Sequence, residues 1–206
     1  MVRSLLGFLP WIAYAVVATS DEWRYGAILG LVIAAGVIVA DRRTGSTWDQ
    51  MVIEVSAAVF FLLVTLLSFA DPGSPLMPYG PALVNAWLAL TAWGSLAVRR
   101  PFTLGIARRT TPPEVWRTPL FLRVNAVITM VWGAAFTAAA VTLAVLLHEA
   151  PHATAAVVAV KVLSFAAPAV FTVRYPKAVA RRHRAAGHAA DRTTGRTTDH
   201  ATGHTA

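Results

Sequence analysis

The chain has no cysteine, so disulfides, thiolate metal sites and thiol catalysis are excluded together. Charge is scarce as well. Lys, Arg, Asp and Glu make up 14% of the 206 residues, against 56% hydrophobic, and the mean hydropathy is +0.58. A soluble domain of this length needs more charge than that to cover its surface, which places the chain in a membrane class. Acid is the scarcer sign: 10 Asp and Glu face 18 Lys and Arg, for a net charge of +8.

What is abundant is apolar sequence in runs. Six occur, at 4–19, 25–40, 51–70, 81–98, 120–147 and 153–173. Crossing a hydrocarbon core takes about 20 apolar helical residues. The third, fourth and sixth runs meet this. The first two are short and closely spaced, which suits a tight helical hairpin, and the fifth has length to spare for tilt. Backbone cannot be left unpaired in lipid, so the runs are read as helices. The first has the outline of a signal peptide, but Pro10 and Trp11 interrupt it and a second run follows at once, which favours a retained helix. The predicted fold is an all-α bundle of six transmembrane helices over 1–180, followed by a disordered tail over 181–206.

The arginines orient the bundle. Arg3, Arg42, Arg43, the group from Arg99 to Arg117 and the run from Arg174 to Arg196 fall on one side; Arg24 stands alone on the other, beside acidic residues. Both termini are therefore expected in the cytoplasm. The basic start of the tail, Arg174 to Arg184, and the loop arginines are expected to meet anionic lipid. Because topology already accounts for these arginines, a nucleic-acid partner is not expected.

Residues 148–152 read HEAPH, a literal match to a zinc-protease signature. That signature needs both histidines one turn apart on a helix and a third ligand. Here Pro151 breaks the turn, which falls between two spans, and no third ligand follows. No metal, no cofactor and no catalytic residue is expected. His183, His188, His200 and His204 in the tail have no spacing that fixes a coordination geometry.

Ionisable and polar residues inside apolar runs are functional candidates. Glu54 and Arg123 lie at similar depth near the cytoplasmic starts of the third and fifth runs, where they either pair with each other or each snorkel to the interface. Lys161 lies deeper, in the sixth run. Asn125, Thr129, Trp132 and Phe136 share one helix face, as do Glu54, Phe61, Thr65 and Ser68. Such faces mediate helix packing through interhelical hydrogen bonds, or else line a path for a solute. In the second run Gly26, Gly30 and Ala34 form a small-xxx-small ladder suited to close helix approach.

The most distinctive stretch is the loop and helix at 98–136, VRRPFTLGIARRTTPPEVWRTPLFLRVNAVITMVWGAAF. Phe102, Leu104, Ile106 and Trp116 give the basic loop an apolar side, which is expected to lie on the inner leaflet. The stretch resembles the bacterial intracellular septation protein A family and its multi-pass relatives. Pro101, Phe102, Thr103, Leu104, Ala107 and Arg108 match that family's loop, with Ile106 in place of its tyrosine. Asn125, Trp132, Gly133 and Phe136 match the helix that follows, and the PWI at 10–12 fits more loosely. The resemblance implies an integral protein of the bacterial inner membrane with a non-enzymatic role in envelope integrity or cell division, acting through envelope or division partners. A small transporter or channel using the intramembrane polar residues is the alternative. A membrane enzyme is a third class, for which no nucleophile–base or metal arrangement is visible.

Overall fold

Small residues at every fourth position on one helix let the next helix approach until backbone and side chain touch. The computed structural model shows this directly. It describes residue 7, residues 9–17 and residues 23–201, with side-chain surroundings given as far as Arg182 apart from positions 15, 16 and 49. All regular structure among these residues is helical: α1 Leu9–Val17, α2 Trp23–Arg43, α3 Val52–Ala70, α4 Gly80–Ala97, α5 Phe102–Arg108, α6 Pro119–Glu149 and α7 Thr154–Ala201. Short 3-10 turns at Trp48–Gln50, Met77–Tyr79 and Pro113–Val115 join them. The residues fall into two compact units, one ending at Pro168 and one beginning at Ala169.

Gly26, Ala27, Gly30 and Ala34 of α2 are buried, and α2 packs along α3. A Cβ on Gly30 would stand 2.7 Å from a ring carbon of Phe61. Phe61 anchors an aromatic cluster: its ring centroid lies 5.0 Å from that of Trp11, 5.4 Å from Tyr14 and 5.2 Å from Phe60. A second cluster ties α6 to the first part of α7, with Phe165 5.3 Å from Phe136 and 6.2 Å from Trp132. Between α4 and α6, Trp93 lies over Gly133 and donates its indole N–H to Thr137 at 3.0 Å.

Four helical segments are long and apolar enough to cross a membrane: α2, α3, α6 and Thr154–Arg182 of α7. A fifth span results if Met77–Ala97 and α5, bent by 82° at the break, count as one. Among the described residues these are four or five of the six expected spans. The first run is described only in part, its helix α1 having nine residues. At 1.5 Å per residue a helix of that length covers about 14 Å, roughly half a hydrocarbon core. The rest of that run, apart from Gly7, lies outside the described residues.

α7 is described as far as Ala201, within the segment from 181 onward, and its side chains as far as Arg182. The last residues, 202–206, lie outside the description. Within the second unit, Phe171 and Tyr175 stack one turn apart at 4.9 Å.

The break after α4 has a local cause. Arg99 adopts φ 57°, the left-handed conformation usual for glycine at a helix end, and the amides of Arg99 and Arg100 close back on Leu96 and Ser95 at 2.9 and 2.8 Å. For a residue with a Cβ this conformation costs about 1–2 kcal/mol. Pro101 then prevents helical continuation and the chain restarts as α5. α6 begins with Pro119 in its first turn, and the Thr118 hydroxyl accepts the Phe121 amide at 3.3 Å.

Candidate functional site

α5 does not lie on the outside of the bundle. Pro101, Phe102, Thr103, Leu104 and Gly105 are all buried, Phe102 with 3% and Leu104 with 7% of its surface exposed. This corrects the expectation that Phe102 and Leu104 rest on the lipid leaflet; Ile106 and Trp116, of the same expected face, are half-buried. The 82° bend turns Phe102 and Leu104 inward, and α5 packs against α6, α4, α3 and the Trp48–Gln50 turn. The backbone at the break is satisfied by hydrogen bonds, the amides of Arg99 and Arg100 donating to the Leu96 and Ser95 carbonyls.

Hydrogen bonds fix α5 at both ends. At its start the Phe102 amide donates to Ser95 Oγ at 3.1 Å, and that hydroxyl donates to the Ala92 carbonyl at 2.7 Å. Thr103 Oγ1 donates to the carbonyl of Asn125 at 2.9 Å and lies 2.8 Å from Thr129 Oγ1. Asn125 Nδ2 donates within its own helix to the Phe121 carbonyl at 2.9 Å. The loop half and the helix half of the stretch at 98–136 therefore meet at Thr103, Asn125 and Thr129.

Just past the other end, Arg109 reaches across to α2 and α3. Its Nη2 donates to the Gln50 carbonyl at 2.8 Å and to Glu54 Oε1 at 3.1 Å, and stands 2.9 Å from Asp41 Oδ2. The two protons on that nitrogen are used by Gln50 and Glu54. The contact with Asp41 is therefore ionic, without hydrogen-bond geometry, and Arg109 Nε is buried with no acceptor. Side-chain exposure is 15% for Arg109, 11% for Asp41 and 6% for Glu54. One guanidinium thus serves two carboxylates in a nearly closed site. Gly7 seals a further side, since a Cβ there would come within 2.9 Å of Glu54 Oε1.

Glu54 is therefore paired, but with Arg109. Arg123 is exposed on α6 and makes no ion pair among the described residues, so of the two readings of Glu54 and Arg123 the mutual pair is not the one formed. The physical reason is the bend: it carries a loop arginine inward to Glu54, while Arg123 points out of the bundle. Asp41 was missed although a signal existed. It sits in the last turn of α2, where the helix dipole disfavours an anion, so an acid there needs a partner.

Other candidates are scattered. Asn125 and Trp132 are buried on α6 with Thr129 and Phe136, as their spacing indicated. Arg108 lies with its guanidinium 5.5 Å from the Trp116 ring. Lys161 is half-buried on α7 with no hydrogen bond or ion pair from its amine among the described residues. Of the second polar face, Glu54, Phe61 and Ser68 are buried and Thr65 is half-buried. A polar link that spacing did not reveal joins α3 to α4, with Trp87 Nε1 donating to Ser56 Oγ at 2.9 Å and Ser56 2.6 Å from Thr91.

At the opposite end α6 stops at Glu149, and Pro151 and His152 lie in the turn beyond it. His148 Nδ1 is 3.1 Å from the Tyr79 hydroxyl. Among the described residues no three His, Asp or Glu side chains converge as metal ligands. Two cavities among the described residues have mainly apolar linings. One, of about 20 Å³, lies beside Tyr14, Trp23 and Phe60, and the other is an open groove of about 320 Å³ between α3 and α4, lined by Leu63, Leu67, Leu83 and Leu90 among others.

Comparison of the chain with protein-family models, with curated proteins and with solved structures gives no match.

Proposed function

We propose that the protein is a non-enzymatic, multi-pass membrane protein that acts through contacts with partners in the cell envelope or division apparatus. The observation that carries this reading is where its polar residues go. Thr103, Asn125, Thr129, Ser95, Ser56 and Trp87 bond helix to helix or to their own helix, and the groove between α3 and α4 is lined mainly by apolar side chains. A transporter needs polar groups aimed into a water-filled path; a packed bundle spends them on internal contacts. The resemblance at 98–136 to septation protein A supplies the inner membrane of a bacterium and the envelope or division setting. A six-span arrangement, with the first run completing a span and both termini cytoplasmic, follows from the arginine asymmetry.

The functional test is removal of the gene. Cells without the protein are expected to show altered length or an envelope sensitive to detergent, with solute uptake unchanged. Normal shape and envelope with loss of uptake of a particular solute would replace this reading by transport.

Orientation is tested separately. The chain has no cysteine, so Gly73→Cys and Thr110→Cys, both at exposed positions, each introduce a single thiol. In intact cells a membrane-impermeant maleimide is expected to label the first and spare the second. The opposite pattern inverts the topology.

A further inference from the structure

Two arginines beside the ion-paired cluster lie over tryptophans. The Arg42 guanidinium is 4.8 Å from the Trp48 ring centroid, and that of Arg108 is 5.5 Å from the Trp116 ring. Arg42 and Arg108 are the chain neighbours of Asp41 and Arg109, whose side chains meet at 2.9 Å, and α5 packs on the turn that carries Trp48. The two arginine–indole units therefore flank the contact at which α5 meets α2 and the Trp48–Gln50 turn. Trp48 is 60% exposed, and the Trp116 indole is fixed by donating to the Thr111 carbonyl at 2.9 Å.

The chain segments around these units are basic. Arg43, Arg99, Arg100 and Arg117, which adjoin them in sequence, are exposed. The nearby carboxylates of Asp41 and Glu54 are turned inward to Arg109, which leaves Glu114 as an exposed acid there among the described side chains.

We propose that Arg42–Trp48 and Arg108–Trp116 together bind the phosphate-bearing headgroup of an anionic phospholipid. The proposal rests on the reading of these segments as the cytoplasmic membrane boundary and deepens it from general attraction to a defined site. Indole rings settle at headgroup depth, apolar body inward and N–H at the polar boundary. A guanidinium stacked on such a ring is held in one plane, so part of its ordering cost is met before a ligand arrives. A fork fixed in this way matches the paired oxygens of a phosphate, which the rounded ammonium of lysine does not. Arg42 donates one N–H to the Ser46 carbonyl at 3.0 Å, and a guanidinium carries five such donors.

The test measures lipid binding to the purified full chain in detergent by native mass spectrometry, with dioleoylphosphatidylglycerol against dioleoylphosphatidylcholine. The wild type is expected to retain the anionic lipid selectively. Arg42→Lys/Arg108→Lys, which keeps every charge, is expected to weaken that binding about tenfold. Arg99→Lys/Arg100→Lys, a matched change in the adjoining sequence without tryptophan partners, is expected to leave it unchanged. Equal losses in both double variants, or none in either, overturn the site in favour of diffuse charge. Should the first double variant fail to fold, Arg42→Lys alone, at an exposed position, is expected to lose about threefold, and an unchanged affinity there overturns the proposal. Inorganic phosphate at millimolar concentration is expected not to displace the lipid; full displacement assigns the site to a soluble anion and overturns the lipid assignment. The orientation reading fails independently, through inverted labelling at positions 73 and 110.

Discussion

Replacing Arg109 by Gln is expected to lower the thermal stability of the purified protein in detergent by about 3–5 kcal/mol, the cost of leaving buried charge without a partner. The loss exceeds an ordinary ion-pair deletion because two carboxylates, Asp41 and Glu54, then face each other in a site whose members are at most 15% exposed. Glu54→Gln is expected to cost less, about 1.5–3 kcal/mol for a charged hydrogen bond, because Arg109 still has Asp41 and the Gln50 carbonyl. Combining the two restores part of the Arg109→Gln loss, since only one carboxylate is then left unpaired. Arg123→Gln, on an exposed side chain, is expected to leave the melting temperature nearly unchanged. Strict additivity of the Glu54 and Arg109 changes, or a larger loss from Arg123→Gln, would show that the cluster is not assembled as described.

Gly30→Leu is the second change with a large expected effect. Three ring atoms of Phe61 lie 2.7 to 2.9 Å from where a Cβ would stand, closer than carbon atoms tolerate. Phe61 cannot yield, because it is fully buried among Trp11, Tyr14 and Phe60. Overpacking of this kind costs about 1–3 kcal/mol, and a leucine adds more bulk than the Cβ alone. The control is Gly36→Leu on the same helix, where nothing lies within 4 Å and the position is exposed. Thermal unfolding of the two variants is expected to separate clearly. Equal stability would mean that α2 and α3 are not in contact along the glycine face.

Features written in runs of residues could be read in advance. Hydropathy located the long helices, and a four-residue period located both the Gly26–Gly30–Ala34 contact and the buried face of Asn125, Thr129, Trp132 and Phe136. Features set by one bond rotation could not. The stretch after Pro101 carries arginines and prolines like any juxtamembrane loop; the left-handed turn at Arg99 directs it inward instead. That single reversal buries Phe102 and Leu104, supplies Thr103 to α6 and makes Arg109 the partner of Glu54. Asp41, which the apolar run ending at residue 40 left out, lies inside the last turn of α2, where its cost to the helix dipole was the available clue.

The measurement that bears most directly on this account is a cross-link between positions 103 and 129. Their hydroxyl oxygens are 2.8 Å apart in a chain without cysteine, so Thr103→Cys/Thr129→Cys places two thiols, and no others, side by side. Limited proteolysis after mild oxidation in native membranes is expected to leave the fragments containing residues 103 and 129 joined, and reduction is expected to separate them. Fragments that never join, with Thr103→Cys alone labelled freely by a water-soluble maleimide, would contradict the account by placing Phe102–Arg108 on the outside of the bundle.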